Sequence, residues 1–426
     1  MSSRHAVRLI AFGLLVGALT VPPQAAAQGA WAIKAPLPET RHLYGVGVVN
    51  GLVYAVGGVV GPVSYSTSVI AYDPASDAWS GKAPMLTGRQ LHGVGVVNGL
   101  IYAVGGQSNA TTIASVEAYD PIANAWTARA PMLGPRERMA IAVVDGILYA
   151  VGGCTDTNCS NFVSTVEAYD PLTDSWSSRA AMPTARRDLA ATAIDGLVYA
   201  VGGAFGPGCN LTSVLEAYNP QTDSWTPRAA MPGARNTLAS GAVGGILYAI
   251  GGSDCDGSLA TNQAYDASTD TWSTAASMPT ARAALAAGVS GGVLYAVGGA
   301  GFSNNEAFTA ELTVGIDIKP GSDPNSINLG SAGVVPVAIL GSTTFDATQV
   351  DPESVTLAGA SVRLIGRGSK FACAKEDANG DGFVDLVCHV ETAQFMIESG
   401  SASAVLTATT FAGQNIRGED SIHIVP

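Results

Sequence analysis

The stretch NGLVYAVGG at residues 50–58 decides the fold, because the chain repeats it. The further copies are NGLIYAVGG at 98–106, DGILYAVGG at 145–153, DGLVYAVGG at 195–203, GGILYAIGG at 244–252 and GGVLYAVGG at 291–299. The period is 47 to 50 residues. Such a period is typical of repeat architectures in which each unit is one small supersecondary element.

Three spacings stay constant along the repeats. A Trp lies 10 residues before an Arg, that Arg lies 16 residues before the first Gly of the Gly-Gly pair, and a Tyr lies 7 residues before the next Trp. All variation in length therefore falls between Gly-Gly and Tyr. The repeated arginines are Arg41, Arg89, Arg136, Arg186, Arg235 and Arg282.

Each unit predicts four short strands, which we call a, b, c and d. Strands a and b flank Asn-Gly, Asp-Gly or Gly-Gly, which tolerate the positive φ of a two-residue hairpin. Strands c and d flank Asp-Pro-x-x-Asp or a variant of it, and these residues favour a turn. No segment after the N-terminal 27 residues shows a sustained 3.6-residue apolar period, so we expect almost no helix.

An Arg, a strand of small residues, Gly-Gly, and a Tyr seven residues before a Trp together resemble the kelch motif. The resemblance covers residues 31 to about 314 and implies an all-β fold, a six-bladed β-propeller at residues 28–314. One blade cannot bury both of its faces, whereas six blades around an axis bury them against each other.

The two ends of the repeat region predict how the propeller closes. The sixth unit has Phe308 in the Tyr position, but Gly315 stands where Trp belongs. Trp31 has no strands a to c before it. We therefore expect the N-terminal strand around Trp31 to complete the last blade, which removes two exposed strand edges.

Residues 1–27 have the features of a secretory signal peptide. Arg4 and Arg8 precede an apolar run of 13 residues, and Ala25-Ala26-Ala27 fits a cleavage site. The run is shorter than the roughly 20 residues that span a bilayer, so we expect no membrane span. We predict a protein exported to the periplasm, the cell surface or the medium.

Charge and cysteine content narrow the possible partners. Removing the two arginines changes the net charge from −13 to −15, which argues against a nucleic-acid partner. An even number of cysteines in an exported chain suggests disulfides. We expect Cys373 to pair with Cys388 beside an acidic loop, Cys154 with Cys159 within one b–c loop, and Cys209 with Cys255 between the loops of blades four and five.

The variable b–c loops lie on one face of the expected propeller, together with the d–a connections. Binding residues favour variable loops on a rigid scaffold, so this face is the candidate binding face. The six repeated arginines begin strand a on the same face. They could ring the mouth of the axial channel and bind a carboxylate, sulfate or uronic acid, or each could support its own blade. The residues that follow them differ between blades, and the candidates are His42, Gln90, His92, Glu137, Arg138, Arg187, Asp188 and Asn236.

The sequence favours an extracellular module that binds or adheres to a protein or polysaccharide, and it assigns no catalytic residue. The alternative is a carbohydrate-active enzyme at the channel mouth. Six-bladed kelch propellers include sialic acid mutarotases, and acid–base chemistry on an acidic sugar would suit Glu137 or Asp188. Galactose oxidase is kelch-like too, but its copper needs two His and two Tyr. This propeller has only His42 and His92, in unequal registers, so we do not expect copper.

The repeat stops near Gly315, and residues 315–426 predict a separate small β-sandwich. Within it, EDANGDGFVD at 376–385 predicts a structural Ca²⁺ site. Calcium prefers six to eight oxygen ligands. The alternative is an ordinary acidic turn. The candidate ligands are the side chains of Asp377, Asn379, Asp381 and Asp385 and the carbonyl of Phe383.

Overall fold

A computed structural model describes residues 29–206, 208–322, 324–329, 333–342, 345–366, 370–397, 400–411 and 414–425. The predicted signal peptide lies outside these residues. The described chain is all-β, and its only helical segments are two single 3₁₀ turns, Ala347–Gln349 and Thr392–Gln394. None of the described helices is long and apolar enough to cross a membrane.

Each repeat forms a four-stranded antiparallel sheet with the order a-b-c-d, and six such sheets are the six blades. Strands a are Gly45–Val49, Gly93–Val97, Ala140–Val144, Ala190–Ile194, Ala239–Val243 and Ala286–Ser290. Strands b are Leu52–Val56, Leu100–Val104, Ile147–Val151, Leu197–Val201, Ile246–Ile250 and Val293–Val297. Strands c are Val69–Asp73, Val116–Asp120, Val166–Asp170, Leu215–Asn219, Asn262–Asp266 and Asn305–Thr313. Strands d are Ala78–Lys82, Ala125–Arg129, Ser175–Arg179, Ser224–Arg228 and Thr271–Ala275, with Gly29–Lys34 as strand d of blade six.

Short strands lie in two of the blades, outside their main sheets. Arg41–His42 pairs with Val59–Val60 in blade one, and Gln107–Ser108 pairs with Thr111–Thr112 in blade two. Both pairs lie at the b–c face. The first pair joins the residues at Arg41 to the start of the b–c loop of blade one, and the second pair lies within the b–c loop of blade two.

The N-terminal strand completes blade six in the register that the sequence predicts. Gly29–Lys34 pairs antiparallel with Asn305–Thr313, and Trp31 lies opposite Phe308. The Trp31 indole N–H donates to the Ala276 carbonyl at 2.7 Å. In the other blades the equivalent Trp donates to an equivalent carbonyl, for example Trp79 to Ala35 at 2.8 Å. The strand therefore carries the same contacts as an ordinary strand d.

Blade six also packs against blade one. Tyr295 and Val297 of blade six form one buried cluster with Tyr44, Val53 and Tyr72. The rings of Tyr72 and Tyr295 lie 5.6 Å apart, a distance at which tilted aromatic pairs add to the energy of area burial. Similar clusters join the other neighbouring blades, so the apolar core is a series of blade-to-blade interfaces around the axis.

The fixed spacing of Tyr and Trp has a local cause in the c–d turn. Asp77 adopts a positive φ of 49°, and one of its carboxylate oxygens accepts hydrogen bonds from the Tyr72 hydroxyl at 2.6 Å and from the Ala35 N–H at 2.8 Å. Asn124, Asp174, Asp223 and Asp270 make the same two contacts in blades two to five. The turn thus holds both the aromatic pair and the preceding d–a connection.

The C-terminal module has two main sheets whose buried residues form a single cluster. The first has the order Ile316–Ile318, Val334–Ile339, Asp385–Glu391, Cys373–Glu376. The second has the order Asn415–Ser421, Ser403–Thr409, Thr356–Leu357, Ala360–Ser361. Two smaller pairs are Ser326–Asn328 with His423–Val425, and Leu364–Ile365 with Lys370–Phe371. The predicted sandwich remains a prediction.

One strand runs through both modules. The end of Asn305–Thr313 leaves blade six, and its residues Glu311, Leu312 and Thr313 pair in parallel with Asn415–Ser421 of the C-terminal module. The main chain between the two modules is therefore held by sheet hydrogen bonds.

The three predicted disulfides are present. Cys154 pairs with Cys159, Cys209 pairs with Cys255, and Cys373 pairs with Cys388. Cys373 and Cys388 lie directly opposite each other on neighbouring strands. The first two bridges tie down b–c loops and therefore shape the candidate binding face.

Candidate functional site

The b–c face has a depression on the propeller axis, and we call its innermost ring the axial mouth. Each blade contributes the residue two positions after its repeated arginine. All six residues have positive φ, between 48° and 57°. Their side chains differ from blade to blade, and the six residues are Leu43, Leu91, Arg138, Asp188, Thr237 and Ala284.

Backbone hydrogen bonds hold the axial mouth in place. In blades two to six the N–H of this residue donates to the carbonyl of the equivalent residue in the preceding blade at 2.8 to 3.0 Å, from Leu91 to Leu43 through Ala284 to Thr237. The positions are thus fixed by the main chain, without help from the side chains. A substitution at the mouth can change its chemistry while the scaffold keeps its geometry.

The charged side chains of the mouth are concentrated on blades three and four. Arg138 Nη1 lies 3.1 Å from Asp188 Oδ1, and Arg187 Nη1 lies 2.6 Å from Asp188 Oδ2. Arg138 Nε lies 3.4 Å from Glu137 Oε1. We call these four residues the charged arc. The Glu137 and Asp188 side chains are 0% and 5% exposed, whereas those of Arg138 and Arg187 are 26% and 19% exposed, so the arginines are the partly exposed members of the arc.

Glu137 lies beneath the arc as a buried carboxyl. Burial raises its pKa, and the hydrogen bond from Thr112 at 3.1 Å and the charge of Arg138 partly oppose this shift. The main chain of Glu137 exchanges two hydrogen bonds with Cys154, at 2.8 and 2.9 Å. The disulfide-closed loop of blade three is therefore anchored directly to the arc.

The other variable candidates lie around the mouth without forming one cluster. Gln90 donates its amide to Gln107 Oε1 at 2.8 Å, and Tyr65 donates its hydroxyl to the same oxygen at 3.3 Å. His42 pairs with Val59 across a short strand pair, and burial lowers its pKa.

His92 and Asn236 complete the variable candidates. His92 is buried in the wall of the depression, where burial and then the charge of Arg89 lower its pKa to about 3. Asn236 exchanges main-chain hydrogen bonds with Ser253, at 2.9 and 3.1 Å. Within the described part of the chain, the ion pairs of the charged arc join only residues of blades three and four.

The six repeated arginines lie within their blades and do not line the mouth. They are 0% to 3% exposed. Arg89, for example, donates to the carbonyls of Gly105 at 3.0 Å and Ser115 at 2.8 Å. These side chains therefore do not form a cationic ring at the mouth. Their contacts are those expected if each arginine supports its own blade.

Most of these arginines have a carboxylate partner that is not among the predicted site residues. In four blades a Glu of strand c, two positions before the Tyr or Phe, forms a buried ion pair with the repeated arginine. The spacing was readable, since the Glu recurs in register with the Tyr. The pairs are Arg89 with Glu117, Arg136 with Glu167, Arg186 with Glu216 and Arg282 with Glu306.

The predicted calcium loop closes through its own amide groups. Asp377 accepts hydrogen bonds from the N–H groups of Gly380 at 2.8 Å and Gly382 at 3.0 Å. Asp385 is buried and accepts from Gly341 at 2.7 Å and Ala378 at 2.8 Å. Gly380 and Gly382 have positive φ, which lets the chain turn sharply.

The side chains of the loop have the oxygen donors that Ca²⁺ prefers. Asp381 accepts from the N–H of Phe383 and from the Asn379 amide, both at 2.9 Å. Each carboxylate oxygen can accept more than one bond, so these contacts leave capacity for an ion. Across the described ranges, however, no group of three or more His, Cys, Asp or Glu side chains has the geometry of a metal site. Calcium binding stays a prediction.

Five segments match the family model for the Kelch motif, namely residues 40–86, 88–133, 135–183, 185–232 and 234–279. Together they make up more than half of the chain. The protein belongs to the kelch-repeat family. The sixth unit of this kelch protein, which the N-terminal strand completes, lies outside the matched segments.

Solved structures resemble the kelch protein in fold. The structure of YjhT matches with a TM-score of 0.56 and 17% sequence identity, over 66% of this chain and 97% of that chain. At this identity the likeness shows the propeller fold alone. No curated protein matches the chain significantly.

Proposed function

We propose that this kelch protein is an exported binding protein that recognises an extracellular protein or polysaccharide through the b–c face of its propeller. The observation that carries the proposal is that two different sets of residues around the axis support the scaffold and line the mouth. The repeated arginines are buried in the blades, and the main chain fixes the axial mouth. The side chains of the mouth are thus free to serve recognition.

Two disulfides support recognition at this face. The bridge between Cys154 and Cys159 closes the b–c loop that is anchored to Glu137, and the bridge between Cys209 and Cys255 joins the loops of blades four and five. Loops that are ordered before binding lose less conformational entropy when a ligand arrives. The b–c face is therefore suited to bind without rearrangement.

The charged arc indicates the chemistry of the ligand. Arg138 and Arg187 are the partly exposed members, and a guanidinium fork matches the planar oxygens of a carboxylate or sulfate. Asp188 holds both guanidinium groups in place. The ligand that fits this arrangement carries acidic groups, such as an acidic polysaccharide or an acidic segment of a protein.

The test is a binding screen of the secreted chain against immobilised glycans and extracellular proteins, with the variants Arg138→Ala and Arg187→Ala. Each should weaken binding about tenfold or more, because a charge-assisted bond to the ligand is lost. Ile122→Ala and Leu172→Ala are the controls, since both side chains lie exposed in c–d turns on the opposite face. If the control variants lose binding and the arc variants keep it, the b–c face is not the binding face.

A second candidate function rests on Glu137. Burial raises the pKa of Glu137, and a raised carboxyl pKa favours the proton transfer that a general acid or base performs. The corresponding activity is acid–base catalysis on an acidic sugar, such as mutarotation. Polarimetry or NMR with freshly dissolved sugar acids tests it. An acceleration of anomer exchange that disappears in Glu137→Gln, with sugar binding retained, would favour the enzyme over the binding protein.

We also propose that Ca²⁺ is a structural cofactor of the C-terminal module. The supporting observation is the alternation of oxygen side chains at Asp377, Asn379 and Asp381 in a loop that two glycines turn sharply. An ion at this loop would offset the repulsion among its carboxylates.

A further inference from the structure

Blade one departs from the ion pair that supports the other blades. In blades two, four and six a guanidinium nitrogen of the repeated arginine lies 2.5 to 2.7 Å from a strand-c glutamate. The side chains of Glu117, Glu216 and Glu306 are at most 4% exposed. At the equivalent position of blade one, two residues before Tyr72, the sequence has Ile70.

Arg41 is therefore a buried cation without an internal carboxylate. It is 2% exposed, and it donates to the carbonyls of Gly57 at 2.9 Å and Ser68 at 3.0 Å and to the Ser68 hydroxyl at 2.9 Å. It takes part in no ion pair within the part of the chain that the structure describes. A buried charge is costly unless an opposite charge compensates it.

An open cavity of about 340 Å³ lies beside this arginine. Its polar lining is Glu39, Arg41, Ser66 and Ser68, and Val60, Val63 and Ile70 contribute apolar walls. Ile70 is partly exposed, whereas the glutamates at its position in other blades are buried. Blade five also lacks the glutamate, but there the buried Gln263 fills the position with a side chain of the same length.

We propose that this cavity binds the carboxylate group of a ligand. The carboxylate occupies, beside Arg41, the place that Glu117, Glu216 and Glu306 occupy beside their arginines, and a small aliphatic group next to it packs on Val60, Val63 and Ile70. The ligand class is a carboxylate on a short apolar substituent, either free or as part of a larger molecule. This site is separate from the axial mouth and does not depend on the function proposed there.

Glu39 is the rival partner for Arg41. It lines the same cavity as an exposed residue, and its charge raises the pKa of Arg41 against the lowering effect of burial. It stands two residues before the repeated arginine, the position of Thr184, whose hydroxyl contacts Glu216 at 2.9 Å in blade four. An experiment must therefore separate a ligand carboxylate from the carboxylate of Glu39.

The test is a titration of the secreted full chain with sodium propionate, followed through the methyl NMR signals of Val60, Val63 and Ile70. Saturable shifts confined to these methyl groups are expected. Propionamide, which has the same shape without the charge, should bind about tenfold more weakly or worse. Chloride or sulfate that shifts the same signals at equal concentration would overturn the carboxylate assignment.

Three variants complete the test. Ile70→Glu restores the internal carboxylate, so it should abolish the propionate shifts at Val60 and Val63 and raise the melting temperature. Val63→Trp narrows the cavity from an exposed position and should also abolish binding, which gives a readout if Ile70→Glu fails to fold. Glu39→Gln should bind propionate at least as tightly as the natural chain. Binding that appears only in Glu39→Gln would show that Glu39 is the partner of Arg41 and would overturn the proposal, as would unchanged binding in Ile70→Glu.

Discussion

Trp31 and Phe308 lie opposite each other on antiparallel strands, with their rings 5.1 Å apart, and they join the two ends of the propeller. In blade one the equivalent pair, Tyr72 and Trp79, has ring centroids 5.2 Å apart. The junction between the ends is thus built like the interior of any other blade.

Removing residues 28–40 should therefore expose the outer edge of strand c in blade six. An unpaired strand edge next to apolar surface favours pairing with other chains, so we expect aggregation and a lower melting temperature. Size-exclusion chromatography with light scattering, and thermal unfolding, measure both effects. The control lacks only residues 1–27. A truncated chain as monodisperse and as heat-stable as this control would contradict the prediction.

His92 should make the propeller less stable in acid. Its pKa in the folded protein is lowered to about 3 by burial and by the charge of Arg89, whereas an unfolded histidine titrates near 6.5. Between these values the unfolded chain binds more protons, so stability falls as the pH decreases from 6.5 towards 3. At pH 4 the loss amounts to about 3 kcal/mol.

His92→Leu should remove this contribution, because Leu does not titrate. Leu should fit the position, because most other blades have Leu or Met there. Denaturant unfolding at several pH values should show a gain over the natural chain that is small at pH 8 and grows towards pH 4. His92→Gln cannot titrate either, so it should show the same flattening without the apolar packing of Leu. Parallel pH curves for His92→Leu and the natural chain would refute the assignment.

The buried ion pairs predict unequal effects of one substitution in different blades. Glu117→Ala leaves Arg89 buried without its carboxylate and removes the acceptor of the Leu86 N–H at 2.8 Å, so we expect a loss of about 3 to 5 kcal/mol. Ile70→Ala, at the equivalent position of blade one, breaks no ion pair and should cost about 1 kcal/mol or less, since Ile70 is partly exposed. Equal losses in denaturant unfolding would mean that the ion pair contributes nothing.

Calcium should stabilise the C-terminal module and leave the propeller unchanged. With millimolar Ca²⁺ and a dissociation constant of about 10⁻⁴ M, the gain is on the order of 1 to 1.5 kcal/mol. Calorimetry of the full chain should show one transition that EDTA lowers, and Asp381→Ala should abolish this response. Asp120→Ala, in a c–d turn, is the matched control and should keep it. Identical scans with and without EDTA would mean that residues 376–385 form only a turn.

The fold could be predicted from the sequence because the residues that determine it recur at fixed spacings. The spacing of Tyr72 and Trp79 recurs in five units, and the missing Trp after Phe308 indicated where the N-terminal strand belongs. The candidate site was readable only in part, because it depends on contacts between units. Arg138 meets Asp188 across two blades and 50 positions, and no spacing in the sequence reports such a contact.

Residues 41 and 70 show that contacts within one blade can also be missed in the sequence. A repeated arginine predicts a scaffold role, but whether it has an internal counter-charge depends on strand c, whose side chains the sequence analysis did not place relative to the arginine. Reading the two positions together separates Arg41 from the four arginines that have a glutamate partner.

The closure by Trp31 also constrains the order of folding. The Trp31 indole binds a carbonyl 245 residues further along the chain, and its strand pairs with the last strand c of the propeller. The strand Gly29–Lys34 therefore has no partner until nearly all of the blades have been synthesised. Contacts of such long range are slow to form, because the loop that they close is long. Closure of the ring therefore has to wait for strand c of blade six.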